Sequence, residues 1–232
     1  MTFADEQCRL YGDSFQRYGN DPKALFHSGQ ESQYERFEML SRCFTAETGG
    51  FTVHEIGCAL GHFGDYLRHR FPGAVFSGSD IFRPFVDVCS KRFPEGKFFL
   101  RDISENLPDD RYDYLVLCGT FNIPGAAPRD QWQSFVYSML KAMYALARKG
   151  VGATFLTTYY DPGHERPDLF YQDEKQLMDF TVRNLSRHFE LDEFGPLYEY
   201  ALRVYRPEYV QVRYSQEAFA KYFKTSDSRY TG

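Results

Sequence analysis

The run Val53-His54-Glu55-Ile56-Gly57-Cys58-Ala59-Leu60-Gly61 constrains the fold of this chain more than any other stretch. It has the form of a buried strand that ends at a carboxylate and then turns sharply through glycines. Gly64 follows, and then a short helical stretch from Asp65 to Arg70. A strand that feeds a glycine turn and then a helix presents backbone N–H groups to a nucleotide-like ligand. Glu55, two residues before the first glycine, narrows the choice of ligand.

From Phe51 onward, strand-like and helix-like patterns alternate. Strands are predicted over 52–56, 75–79, 98–100, 112–118 and 151–158, with a final pair at 189–194 and 200–205 around Gly195-Pro196. The stretch 112–118 is nearly all apolar, which suits a central strand buried on both faces. Helices are predicted over 82–92, 131–148 and 174–188. In the second of these, Trp132, Phe135, Met139, Leu140, Met143 and Leu146 recur at helical spacing, and Gly150 is placed to end the helix. Residues 3–44 also have helical spacing, with a break at Asn20-Asp21-Pro22. After Pro207 comes a tail with one short helical piece, 216–223, and a polar end expected to be disordered. Alternating β and α elements imply an α/β fold with a mainly parallel sheet and helices on both faces. The expected division is a helical segment 1–50, a ligand-binding domain 51–206 and a tail 207–232.

Three more strand ends carry polar groups. Asp80 closes the second strand, where a carboxylate can accept from both hydroxyls of a ribose. Asp102 follows the third, placed to accept from an adenine amino group. Cys118-Gly119-Thr120-Phe121-Asn122 opens over the carboxyl edge of the sheet, where ligands bind in such folds. With these in place, the run from Glu55 to Tyr160 resembles a class I S-adenosylmethionine (SAM)-dependent methyltransferase. The turn is similar to that family's ExGxGxG motif, with Glu55, Gly57 and Gly61 in place and Ala59 where the family usually has glycine. Asp80, Asp102 and Tyr112-Asp113-Tyr114-Leu115-Val116-Leu117 resemble its next three motifs. A dinucleotide GxGxxG fingerprint lacks the acidic residue ahead of the turn and fits less well.

The resemblance implies a Rossmann-like sheet of seven strands, mostly parallel with an antiparallel last strand, and an N-terminal helical lid. It implies SAM as cofactor, bound by Arg36, Glu55, Gly57, Gly61, Asp80, Ile81, Asp102, Ile103, Cys118, Gly119, Phe121, Asn122 and Ser186. A narrower resemblance, to a small bacterial branch found with natural-product and surface-sugar pathways, rests on Gly119-Thr120-Phe121-Asn122, Phe155-Leu156-Thr157-Thr158-Tyr159, the Leu185-Ser186 region and Leu197-Tyr198-Glu199-Tyr200. That branch is also similar to the azetidine-2-carboxylate synthases, in which an asparagine and a tyrosine at the positions of Asn122 and Tyr159 hold the methionine part of SAM. Asn122 and Tyr159 are therefore the implied catalytic pair. Methyl transfer to a small-molecule acceptor, as in secondary metabolism, and cyclisation of SAM alone with release of methylthioadenosine both fit. Ala59 and the lack of an obvious general base leave a third reading, a non-catalytic SAM-binding subunit.

Plainer roles stand beside these. Asn122 before Ile123-Pro124 is also a turn former, Arg36 an ordinary solvated helix arginine and Ser186 a helix-surface serine. Tyr11, Phe15 and Tyr18 are core or lid rings that would face a sulfonium if they close over the site. The net charge of −5 gives no positive footprint, so a nucleic-acid partner is not expected. No apolar run has membrane-spanning length and no signal segment is evident, so no membrane partner and a cytoplasmic location are expected. The five scattered cysteines form no CxxC pair and read as free thiols. The histidines show no metal-ligand spacing, so no metal is expected, and His54-Glu55-Ile56-Gly57-Cys58 is not HExxH.

Overall fold

The computed structural model describes residues 3–193 and 195–223. Its strands are β1 (Phe51–Ile56), β2 (Ala74–Asp80), β3 (Phe98–Leu100), β4 (Tyr112–Leu117), β5 (Ala147–Leu156), β6 (Phe189–Asp192) and β7 (Glu199–Tyr205). They form one sheet in the order β3-β2-β1-β4-β5-β7-β6. The pairs from β3 to β5 are parallel, and β7 runs antiparallel to both β5 and β6. The seven-stranded, mostly parallel sheet with an antiparallel last strand is as the sequence implied. Strand order reverses beside β1, which lies between β2 and β4, so the connections leave β1 and β4 in opposite directions. The crevice beyond Ile56 and Leu117 is the place where such sheets bind ligands.

Among the described residues seven α-helices surround the sheet: α1 (Phe3–Tyr18), α2 (Gln30–Ser41), α3 (His62–Arg70), α4 (Arg83–Arg92), α5 (Arg129–Leu146), α6 (Glu174–Asn184) and α7 (Pro207–Arg213). Side chains alternate across a strand, so β4 serves two cores. Leu115 and Leu117 join Val136, Leu140 and Met143 of α5 on one face. Tyr114 and Val116 join Phe37 and Leu40 of α2, Phe44, and Phe63 and Tyr66 of α3 on the other. Full burial of each such side chain contributes roughly 1.5–3 kcal/mol, which explains why β4 has almost no polar residue. The break at Asn20-Asp21-Pro22 is a capped 3-10 turn, Pro22–Leu25, in which an Asp21 side-chain oxygen accepts from the Lys23 N–H at 2.8 Å. It turns the chain from α1 toward α2.

Some expectations need correcting. Gly150 does not end α5. The helix stops at Leu146 and passes directly into β5, with Gly150 inside the strand. A Cβ there would lie 3.0 Å from the Val204 carbonyl and 3.1 Å from the Tyr205 ring, so the glycine serves the close approach of β7. The third predicted helix ends at Asn184, not at 188, because Ser186 turns the chain and accepts from the His188 N–H at 3.0 Å. The tail forms α7 as well as the expected short helical piece, a 3-10 helix over Glu217–Tyr222. Pro207 at the first helical position was the unread signal. The polar end expected to be disordered, 224–232, and position 194 lie outside the described residues. Among the described residues no helix is long and apolar enough to cross a membrane.

Candidate active site

A cavity of about 830 Å³ opens over the carboxyl ends of β1, β2 and β4, with the Gln7–Tyr18 side of α1 as one wall. The glycine turn forms its floor. The Gly57 and Cys58 N–H groups both donate to the Ser79 carbonyl, at 2.8 and 3.1 Å, which ties the turn to β2. Gly57 has φ +70, and a Cβ on it would lie 2.6 Å from Thr120 Oγ1. Gly61, at φ +74, starts α3 but does not line the cavity; a Cβ there would meet the Phe93 ring at 2.6 Å. Its role is packing against α4.

Ala59 holds φ +45, in the left-handed region that glycine tolerates best. Its N–H donates to Asp80 at 3.0 Å, so the turn keeps this shape without the glycine. Left-handed backbone costs a residue with a Cβ roughly 1–2 kcal/mol, and the extra chain entropy of glycine offsets part of that gain. Ala59→Gly is therefore expected to raise stability by about 0.5–1 kcal/mol in urea unfolding, an order-of-magnitude figure.

Asp80 accepts from Ala59 N–H and, at 2.9 Å, from Phe82 N–H. Burial pushes its carboxyl up to about 6, and these backbone donors oppose the rise. Asp102 accepts from the Ser104 N–H and hydroxyl at 2.8 and 2.6 Å through one oxygen, Oδ1. Ile81, Ile103, Cys118 and Gly119 also line the cavity. Gly119 has φ +71, and its missing Cβ would lie 3.8 Å from His27 Cε1 and 4.0 Å from Asn122 Nδ2.

The strongest sign of a polar ligand is a set of buried atoms with no partner. Among the described residues there are six such side-chain atoms, and five belong to cavity-lining residues: Ser14 Oγ, Glu55 Oε2, His62 Nδ1, Arg101 Nε and Asn122 Oδ1. Each costs about 1–3 kcal/mol if left unpaired, so their concentration marks where a ligand would supply the missing bonds. Burial raises the Glu55 carboxyl well above the ordinary range, a cost that a cationic group beside it would reverse. Two acceptors, Glu55 Oε2 and Asn122 Oδ1, suit the ammonium of an amino-acid moiety. The donor set therefore fits SAM.

Arg36 is not a solvated arginine. It lines the cavity and forms a buried ion pair with Glu199, the two side chains being 12% and 3% exposed. Arg36 Nε donates to Glu199 Oε2 at 2.7 Å and a second N–H donates to Oε1. Its NH1 group donates to the Ser32 carbonyl at 2.9 Å and lies 3.1 Å from His27 Nδ1. Glu199 and His27 are cavity residues that sequence reading missed. Glu199 lies 163 positions from its partner, and His27 sits in an irregular stretch with no motif.

Four of the expected site residues, Gly61, Tyr159, Phe121 and Ser186, lie outside the cavity. Gly61 packs away from the cavity, as described. Tyr159 lies outside it and is 63% exposed. Glu174 accepts from the Thr157 hydroxyl at 2.5 Å and the Thr158 N–H at 2.9 Å, holding the chain beyond β5 on α6. Phe121 is core: its ring stacks on Phe155 at 5.2 Å and its carbonyl accepts from the Trp132 indole N–H at 2.9 Å. Ser186 is buried at the turn before β6 and does not reach the cavity. Of the α1 rings, Tyr11 and Tyr18 line the cavity, whereas Phe15 packs on Phe85 at 5.5 Å. Among the described residues no group of three or more His, Cys, Asp or Glu could hold a metal ion.

No family model matches the chain. A Mycobacterium tuberculosis protein named "Putative methyltransferase Rv1506c" is 30% identical over 154 residues, which cover 66% of this chain and 92% of that protein. The malonyl-[acyl-carrier protein] O-methyltransferase of Priestia megaterium is 23% identical over 183 residues, 77% of this chain and 63% of the relative. Among solved structures, the SAM-bound magnesium protoporphyrin IX methyltransferase of Synechocystis superposes with a TM-score of 0.62 at 15% identity, over 89% of this chain and 98% of that one. The fold is shared with that structure, and the first relative matches along nearly its whole length. The chain belongs to the class I SAM-dependent methyltransferase family, and SAM is its cofactor.

Proposed function

We propose that this enzyme transfers the methyl group of SAM to a small-molecule acceptor in bacterial small-molecule metabolism, and that the cavity described above is where it does so. The observation that carries the reading is the extent of the cavity. Beyond the residues suited to SAM it continues to His27, Leu156, Leu169 and Glu199, space that cyclisation of SAM alone would not use. The malonyl-[acyl-carrier protein] O-methyltransferase relative supports an acceptor from small-molecule metabolism.

Bound SAM supplies a methyl group on a sulfonium leaving group. The chain's own residues then have binding and positioning work to do. Asp80 accepts from the ribose hydroxyls, and Asp102, with Ile81 and Ile103, holds the base. Glu55 Oε2 and Asn122 Oδ1 take the ammonium, each gaining the bond it lacks in the free protein. Gly57 and Gly119 leave room for the ligand where a side chain would intrude. Residues 1–50 act as a lid, with Tyr11 and Tyr18 on its inner side, and 207–232 form a tail outside the SAM-binding domain 51–206. The five free cysteines suit the reducing cytoplasm. The net charge of −5 argues against a nucleic-acid acceptor.

Incubation with SAM alone, followed by product analysis, tests the reaction. The expected result is no turnover until an acceptor pool is added, and then S-adenosylhomocysteine. Methylthioadenosine with a cyclic amino acid from SAM alone would replace methyl transfer by cyclisation. Binding of SAM without any product in either condition would leave only a non-catalytic role.

A further inference from the structure

One side of the cavity is a single helix laid across the sheet edge. Gln7, Tyr11, Ser14 and Tyr18 recur at helical spacing along α1, and all four line the cavity. Cys8 Sγ donates to the Ile81 carbonyl at 3.5 Å, so α1 crosses over the strand end that carries Asp80. Between its ends α1 rests on rings, with Tyr11 on Phe26 at 5.3 Å and on Phe85 at 6.3 Å.

The two ends of α1 are held differently. Just past the C-terminal end, Gly19 has φ +58, and a Cβ on it would meet nothing within 4 Å. Next to it Asn20 Oδ1 accepts from Arg92 at 3.4 Å and lies 3.3 Å from His62 Nε2, which anchors the chain to α4 and α3. A left-handed glycine in open space between a helix and an anchored residue has the form of a hinge. The N-terminal end instead reaches the loop between β4 and α5. The buried Gln7 donates through Nε2 to the Ile123 carbonyl at 3.1 Å. Both Glu6 oxygens accept from the Ala126 N–H, at 3.2 and 3.3 Å. A Cβ on Gly125 would lie 3.0 Å from the Glu6 carboxyl carbon, so the loop leaves that space to Glu6. The same loop carries Asn122.

We infer that α1 is a strap hinged at Gly19 and latched to the β4–α5 loop by Glu6 and Gln7, and that the nucleoside enters and leaves only when this latch opens. This rests on the reading of the cavity as the SAM site. The latch bonds join protein atoms alone and call on no ligand atom, so they form equally in the free and the liganded protein. Breaking them raises the share of open molecules by the same factor in both. Entry and release then accelerate together, and affinity does not change. A residue that touches the ligand behaves otherwise, since its loss speeds release, leaves entry as it was and weakens binding. Glu6 does not line the cavity, so its effect on the ligand passes through α1.

Surface plasmon resonance of S-adenosylhomocysteine on the immobilised full chain reads both rates, and calorimetry gives Kd. Glu6→Ala is expected to raise the association and dissociation rate constants each about three- to tenfold, the worth of one hydrogen bond of ordinary net strength. Its Kd should stay within about twofold of the parent's, which also shows that the variant folds. Glu6→Gln keeps an acceptor oxygen for the Ala126 N–H and should bring both rates back toward the parent's. Parental rates in Glu6→Ala would overturn the latch and leave the SAM site intact. So would a rise in dissociation alone with a weaker Kd, the signature of a contact made only in the complex. Failure of the parent chain to bind S-adenosylhomocysteine would overturn the SAM reading of the cavity and the inference with it.

Discussion

Arg36→Ala is expected to cost about 3–5 kcal/mol of folding stability, the largest single effect among the site residues. The substitution leaves Glu199, 3% exposed, as a buried carboxylate without its partner. It also frees His27 Nδ1 and the Ser32 carbonyl from their common donor. For a chain of this size, each kcal/mol shifts the melting temperature by roughly 2–4 °C, so a fall of about 6–20 °C should be visible in a thermal melt. Arg36→Met combined with Glu199→Leu should recover most of the loss, because both desolvation costs vanish with the charges. A single Arg36→Ala variant as stable as the parent would mean that the pair is not buried as described.

Asp80→Ala should weaken SAM binding by about 1–3 kcal/mol, roughly 5–150-fold, through loss of a charged acceptor. The effect carries a pH signature. In the free protein burial holds the Asp80 carboxyl up to about 6. Hydroxyl donors prefer the ionised form, so SAM affinity should fall as pH drops below about 6, toward tenfold per pH unit. That limb should disappear in Asp80→Ala. Linkage to unfolding has its own sign. The folded carboxyl exceeds its ordinary value of 3.8, so its contribution to stability is greatest below about pH 4 and is lost as pH rises toward 6. Isothermal titration of SAM between pH 5 and 8 checks the binding limb, and a flat profile would remove Asp80 from the ribose contact.

The strand–turn–helix run could be read from sequence because its signals are local. Glu55, Gly57 and Asp80 lie next to the turn that needs them, and β4 is apolar because two faces of the sheet are buried around it. Sequence reading failed where position depends on distant partners. Arg36 was identified, but its tie to Glu199 joins α2 to β7 across 163 positions. Tyr159 lies just past the end of β5, as a pocket residue would, yet Glu174 on α6 holds the intervening Thr157 and Thr158. Phe121 sits one residue from Asn122 and points the other way, into the α5 core. Gly150 looked like a helix stop, and only the presence of β7 beside it shows why it is glycine. Ala59 was legible as an irregularity, and its φ of +45 shows that the turn keeps the shape a glycine would favour.

A crystal structure with S-adenosylhomocysteine tests the central claim most directly. The expected complex has both ribose hydroxyls within hydrogen-bond distance of Asp80, and the adenine between Ile81 and Ile103 with its amino group on Asp102. It has the ammonium on Glu55 Oε2 and Asn122 Oδ1, two of the buried side-chain oxygens left without partners in the free protein. The space bounded by His27, Leu156 and Leu169 should stay open for the acceptor. A nucleoside bound elsewhere, or one that leaves Glu55 and Asn122 unpaired, would contradict the account.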